Sequence, residues 1–266
     1  MSDVVLLDHP APGVALLTLN RPERLNAWNG ELAARYFELL DQCAADDHVK
    51  VIVVTGAGRG FCAGADMDAL QSIGNSAGAS GSEAAGGGPA QYRTTLIPKP
   101  VICAVNGACA GIGMVQALMC DIRFAAEGAK FTTAFARRGL IAEYGMSWVL
   151  PRLVGTARAL DLLMSGRVFL AEEAARMGVV NEVLPPDQLV QHAIDYAEDM
   201  AANASPTSMA VMKRQVWNDW GRPLVPAHDD AIELMKASLR RPDFKEGVAS
   251  YLQKRPPAFN GVDPGA

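Results

Sequence analysis

The sequence predicts an α/β fold: a core of alternating strands and helices through residue 203, then an all-helical region from 204 to 266. Three observations predict it. Val101–Asp121 reads VICAVNGACAGIGMVQALMCD: a β-prone run from Val101 to Val105, a glycine-punctuated turn, and a run from Met114 to Met119 too apolar on all sides for a surface helix. A second buried strand at Val51–Thr55 leads into a second glycine-rich turn, GAGRGFCAGADM at Gly56–Met67, which feeds a helix-like run from Asp66 toward Leu70. From Ser205 the alternation stops, and Thr207–Trp217, Pro226–Leu239 and Phe244–Gln253 read as helices.

Taken in order, Val4–Leu7 and Val14–Leu19 read as strands joined across His9-Pro10-Ala11-Pro12-Gly13, where Pro and Gly force a turn. Asn20–Ala27 is a polar loop. Asn29 can cap a helix whose apolar positions Leu32, Tyr36, Leu39, Leu40 and Cys43 share one face. Ser72–Pro89 is a low-complexity Gly/Ala/Ser insert that cannot form its own core and reads equally as a lid or an inert loop. Ile97-Pro98-Lys99-Pro100 leads rigidly into Val101. Asp121–Ala125 and Lys130–Thr132 read as strands, Ala157–Met164 and Ala171–Met177 as helices, Val179–Leu184 as a strand and Pro186–Ala202 as a helix. In the helical region Met209, Val216, Trp217 and Leu234 form apolar faces that cover the core or a neighbouring subunit.

With 266 residues, half of them hydrophobic, the chain can bury a substantial core. A net charge of −5 without a dense basic run excludes a sequence-independent nucleic-acid surface. Five cysteines without CxxC spacing, mostly inside apolar runs, fit a reducing, cytoplasmic setting, and neither a signal-peptide pattern nor a membrane-length apolar run is present. The four histidines lack ligand spacing, so no metal is expected, and Ser147 lacks the G-x-S-x-G elbow of a serine hydrolase. GRGFCA matches G-x-G-x-x-A, but its first glycine is displaced from the strand end and no acidic partner follows a second strand.

The two glycine turns carry the chemistry. Gly111 and Gly113 let backbone pass close to a neighbour, and a helix start leaves N–H groups that a buried turn must offer to a partner. Alone, one such turn reads as a tight core connection. Two of them, aimed alike, suggest convergence on one oxyanion or phosphate cradle.

Five stretches then carry a resemblance: RLNAW (Arg24–Trp28), FCAGADM (Phe61–Met67), KPVICAVNGACAGIG (Lys99–Gly113), CDIRFA (Cys120–Ala125) and GRVFLAEEAARMGVVNEVLP (Gly166–Pro185). In this order, across nearly the whole chain, they resemble the crotonase (enoyl-CoA hydratase/isomerase) superfamily. The resemblance implies a crotonase-like spiral of ββα units with a C-terminal helical trimerisation region, an acyl-CoA substrate that brings coenzyme A with it, and no permanently bound cofactor or metal. It implies a homotrimer or a hexamer built as a dimer of trimers. The two oxyanion-hole N–H groups fall on Ala65 and Ile112, and losing one such donor typically costs ~3 kcal/mol. Coenzyme A contacts fall on Arg24, Leu25 and Ala27, on Ala63, Asp66 and Met67 around the adenine, and on Tyr251 and Lys254 of a neighbouring tail.

The chain departs from the hydratase pattern at the two catalytic glutamates, whose positions are Val115 and Phe135. Neither can transfer a proton. Glu143, in LIAEYG, stands where the family's Δ3,Δ2-enoyl-CoA isomerases carry their single glutamate, and Leu140, Ile141, Tyr144 and Trp148 are expected to desolvate it. Alone, an acid before a helix at Gly145 reads as a partner of the helix dipole. With the resemblance, the expected function is enoyl-CoA isomerisation with Glu143 as proton shuttle. The alternatives are a hydratase using Glu143 and an ordered water, or a non-catalytic acyl-CoA-binding protein. Asp121 reads as structural.

Overall fold

Strands β1 (Val5–Ala11) and β2 (Val14–Leu19) pair antiparallel around Pro12-Gly13, where Gly13 takes φ 77°. The computed structural model describes residues 3–68, 71 and 90–263, so the Ser72–Pro89 insert and the end of the run toward Leu70 lie outside the described residues. Strand β1 runs further than the sequence suggests: His9, Pro10 and Ala11 extend it with an irregular register after Asp8, which an edge position tolerates.

From β2 the sheet continues in parallel through β3 (Val51–Gly56), β5 (Val101–Val105), β7 (Ile122–Ala126) and β10 (Glu182–Leu184). A smaller sheet has the order β4 (Gly60–Cys62), β6 (Ala108–Ala110), β8 (Lys130–Thr132) and β9 (Phe169–Leu170). Successive passes of the chain place one strand in each sheet before turning into a helix, which is the ββα spiral. The sequence reading missed β4 and β6, because three residues inside a glycine-rich turn are too few to show a period of two. It also began β10 three residues early: Val179 and Val180 are buried, but pairing starts at Glu182.

Helix α1 (Gly30–Ala45) starts as expected, with the Asn29 side chain accepting the Leu32 N–H at 2.9 Å, and it buries Leu32, Tyr36, Leu39, Leu40 and Cys43. A short α2 (Arg93–Leu96) leads to Pro100. Every residue of α3 (Ile112–Met119) is buried. Helices α4 (Met146–Val154), α5 (Thr156–Ser165) and α6 (Ala171–Met177) follow, and α7 (Leu189–Asn203) lays Leu189, Ala193, Ala197 and Ala201 against the large sheet.

Helix α8 (Pro206–Asp219) is anchored by a buried charge. Lys213 Nζ lies 2.8 Å from Asp121 Oδ2 and donates to the carbonyls of Thr94 and Lys99, while the Trp217 indole N–H reaches Asp121 Oδ1 at 3.4 Å. The same Asp121 carboxylate accepts the Val101 N–H, so its structural role is met. Met209 and Trp217 pack on the core, whereas Val216 stays exposed. Beyond it, α9 (Leu224–Ser238) buries no residue and α10 (Pro242–Gln253) buries only Ser250. The tail then returns to its own core: Lys50 Nζ donates to the Phe259 carbonyl and Asp263 N–H to Thr207 Oγ1.

Candidate active site

At the C-terminal edge of the parallel strands the two glycine turns lie side by side. Gly64 takes φ 107° and Gly111 φ 50°, and a Cβ built on Gly111 would stand 4.0 Å from the Gly64 Cα. A Cβ on Gly113 would come within 2.2 Å of the Cys62 carbonyl oxygen, so α3 packs on β4 at a distance only glycine permits.

Each turn leaves backbone N–H groups uncommitted to the fold's ladders. Trp28 donates to the Gly64 carbonyl at 2.8 Å and accepts from Asp66 at 2.9 Å, a parallel bridge whose alternation turns the Ala65 N–H to the other side. Ile112 opens α3 behind Gly111, which supplies no side-chain cap, and the first return bond is Val115 N–H to the Gly111 carbonyl. The Ile112 amide therefore precedes the helix's internal bonding.

The Arg21–Trp28 loop is folded onto the first turn. Leu25 and Asn26 both take left-handed φ, and Ala63 N–H donates to the Leu25 carbonyl at 3.0 Å. Asn26, fully buried, accepts the Arg21 N–H and donates to the carbonyls of Ala57 and Gly60. Sequence reasoning missed this clamp, because nothing local marks an asparagine whose carbonyl partners lie over thirty positions away. It also missed Arg21, which donates to the Ala27 carbonyl at 2.6 Å and pairs with Asp66 at 2.9 Å. The Arg21 hydrogen bond holds the Asp66 carboxyl below its usual range. That carboxylate is turned into the loop, and the Asp66 N–H is committed to the Trp28 carbonyl.

Arg24, Leu25, Ala27, Ala63, Asp66 and Met67 are thus brought together around Ala65. Met67 is exposed, and Arg24 reaches an exposed Asp68 at 3.4 Å, a pair worth little in water. Tyr251 and Lys254 are not part of this cluster. They end α10, just before the tail that bonds to Lys50 and Thr207 near the opposite, N-terminal edge of the strands.

Glu143 lies on a segment pinned to α3 at both ends. The Phe135 ring comes 4.0 Å from a Cβ position on Gly111, and Gly145 offers a Cβ position 3.6 Å from the Met119 methyl. Ile112, Val115 and Met119 share one side of α3. Val115 and Phe135 are buried and apolar. Glu143 is half-buried, its carbonyl accepts the Met146 N–H at 2.9 Å, and burial raises its carboxyl above the ordinary value of 4.5. Of the apolar residues expected around it, Leu140, Tyr144 and Trp148 are partly covered, but Ile141 is 80% exposed and shields little.

Burial pushes the thiol of Cys62, beside the first turn, up to about 12, which leaves it protonated and unreactive. Among the described residues no group of three or more His, Cys, Asp or Glu is placed to hold a metal, and no helix is long and apolar enough to cross a membrane.

Known proteins match this architecture over most of its length. A family model described as enoyl-CoA hydratase/isomerase matches residues 10–262. The 1,2-epoxyphenylacetyl-CoA isomerase of Escherichia coli K12 is 39% identical over 259 residues, covering 96% of this chain and 98% of its own. Among solved structures, an enoyl-CoA hydratase, EchA12_1, from Mycobacterium marinum is 52% identical with a TM-score of 0.71, over 83% of this chain and 100% of its own. A monofunctional enoyl-CoA isomerase from M. smegmatis is 36% identical with a TM-score of 0.71, over 85% of this chain and 98% of its own. This chain is an enzyme of the enoyl-CoA hydratase/isomerase family, the crotonase superfamily.

Proposed function

We propose that this enzyme is an enoyl-CoA isomerase that moves a double bond from C3 to C2 through an oxyanion-stabilised dienolate. The observation that carries this reading is the filling of both hydratase glutamate positions by apolar, buried Val115 and Phe135, while Glu143, half-buried two residues before the Gly145 that abuts Met119, keeps a carboxyl raised by burial. Hydration needs an acid and a base around a water molecule. Isomerisation needs one base that reaches two carbons on the same face.

The thioester oxygen sits between the N–H groups of Ala65 and Ile112. Glu143 takes the Cα proton, the electron pair of that C–H bond moves into the dienolate, and negative charge collects on the thioester oxygen, where the two amides stabilise it. Glu143 then returns the proton to C4, the double bond settles at C2–C3, and the carboxylate is restored. The M. smegmatis enoyl-CoA isomerase supports this assignment by its similarity, and the E. coli relative, an isomerase of an epoxide-bearing acyl-CoA, supports acyl-CoA isomerisation more broadly.

Coenzyme A lies along Arg24, Leu25, Ala27, Ala63, Asp66 and Met67, with Tyr251 and Lys254 supplied by a neighbouring subunit of a trimer or of a hexamer made from two trimers. The helical region, residues 204–266, makes that assembly, since α9 and α10 bury so little in their own subunit.

A hydratase in which Glu143 works with an ordered water is the second reading, favoured by the M. marinum hydratase at 52% identity. Conjugated-thioester absorbance separates the two. Isomerisation makes it rise with a 3-enoyl-CoA and leaves a trans-2-enoyl-CoA unhydrated; a fall with the 2-enoyl substrate establishes hydration instead.

A further inference from the structure

Near Glu143 the chain is held from its α4 side. The Leu140 N–H donates to the Phe135 carbonyl and the Met146 N–H to the Glu143 carbonyl, but among the described residues no backbone N–H from Ile141 to Gly145 donates to a backbone carbonyl. Tyr144 at φ 53° and Gly145 at φ 79° turn the chain into α4, and the Trp148 N–H closes the first turn on the Gly145 carbonyl at 2.9 Å. Ala142 packs against the core and Met146 is fully buried. The placement of Glu143 therefore follows the start of α4.

Three of the chain's four tryptophans meet at that start. Trp148 stacks on Trp217 of α8, with ring centroids 6.2 Å apart and planes 16° from parallel. Trp220, at the C-cap of α8, lies 4.9 Å from Trp148 and 4.8 Å from Trp217. Arg152 stands 4.2 Å over the Trp148 ring and donates to the Trp148 carbonyl. Helix α8 is itself fixed to the end of α3, because Asp121, directly after the C-cap residue Cys120, pairs with Lys213 and accepts the Trp217 indole N–H. Gly145 abuts Met119, the last residue of α3. The contacts thus close a ring from α3 through Asp121, α8 and Trp148 to α4 and back to α3, the helix that Ile112 opens.

We infer that Trp148 is a positioning residue for Glu143: held by Trp217 and Trp220, it sets the start of α4, so the seating of the helical region from residue 204 onward fixes where the base stands relative to the Ile112 amide. The stack lies at the surface, with Trp148 40% exposed, and it gives the fold a link between α4 and α8 more than buried apolar area. Positioning of this kind acts on rate, since a base shifted by a fraction of its reach loses turnover while the bound substrate stays bound.

This inference rests on Glu143 being the proton shuttle. Its test is steady-state turnover of a 3-enoyl-CoA by Trp148→Ala, Trp148→Phe, Trp220→Ala and the double alanine variant, with Glu143→Gln alongside and each rate divided by the folded fraction from a thermal melt. Trp148→Ala and Trp220→Ala are expected to lower kcat about tenfold and to leave KM within about twofold of wild type, as for a base displaced from a bound substrate. Trp148→Phe, which keeps a stacking ring, recovers most of that loss. The double variant falls no further than Trp148→Ala alone, because the rings act as one unit. Trp220→Ala, whose change lies at the end of α8, carries the test if Trp148→Ala does not fold. Wild-type kcat per folded enzyme in the alanine variants, or losses that multiply in the double variant, overturns the inference. If Glu143→Gln is as active as wild type, the isomerase reading itself falls. If that variant is dead while the alanine variants keep their kcat, only the role of Trp148 falls.

Discussion

Gly64 and Gly111, forty-seven positions apart in the chain, stand with the Cα of one only 4.0 Å from where a methyl on the other would be. That contact joins the turn after β4 to the turn before α3. The approach depends on Gly113 as well, whose added Cβ would meet the Cys62 carbonyl at 2.2 Å. Neither atom is the end of a flexible side chain, so the clash is relieved only by moving α3 off β4. Gly113→Ala is expected to lose about 1–3 kcal/mol of stability in a urea melt. It also loses turnover, measured with a 3-enoyl-CoA, beyond what the unfolded fraction accounts for.

The Arg21–Asp66 pair makes a prediction with a definite sign. The folded state lowers the Asp66 carboxyl below its ordinary 3.8, so the pair stabilises the fold above that value and the contribution is lost as pH falls through the lowered folded value. Asp66→Asn, which keeps the shape and removes the charge, should cost about 1 kcal/mol near neutral pH. Thermal melts of variant and wild type should converge at strongly acidic pH; a constant gap across the range would show that shape, not charge, matters there.

At Glu143 the sign reverses. Burial raises its carboxyl, so the folded state favours the protonated form, and stability declines as pH rises from the ordinary 4.5 through the raised value. Glu143→Gln should therefore raise Tm at neutral pH and leave it unchanged well below pH 4.5. The same ionisation sets activity in the opposite direction, since only the carboxylate can accept a proton, and wild-type kcat/KM should fall along an acid limb above 4.5.

The anchor of α8 is a buried ion pair, and removing one partner leaves the other uncompensated. Lys213→Ala strands Asp121 between α3 and α8 and should destabilise by about 3–5 kcal/mol. Quenching of Trp217, which bonds the same carboxylate, reports whether α8 has lifted from the core.

Much of the fold was legible in the sequence where a local rule governs. The Asn29 cap, the apolar face of α1, the all-apolar α3 and the limits of β5 follow from side-chain chemistry and periodicity within a few residues. Strands β4 and β6 were not legible, since their pairing partners lie far along the chain and glycine spacing hides their alternation. The same distance hid Asn26, Arg21 and the Asp66 partner that turns its carboxylate inward. Glu143 stood out by position among the resembling stretches, but its left-handed neighbour Tyr144 could be read only from the backbone.

The central claim is that Glu143 carries the proton in both directions, and its most direct measurement is turnover of a 3-enoyl-CoA by Glu143→Gln set beside coenzyme A affinity by calorimetry. The account predicts a fall in kcat of about 10²–10⁴-fold, the usual contribution of a positioned general base, with affinity within about threefold of wild type. Turnover equal to wild type at undiminished affinity would contradict it, and would require a base other than Glu143.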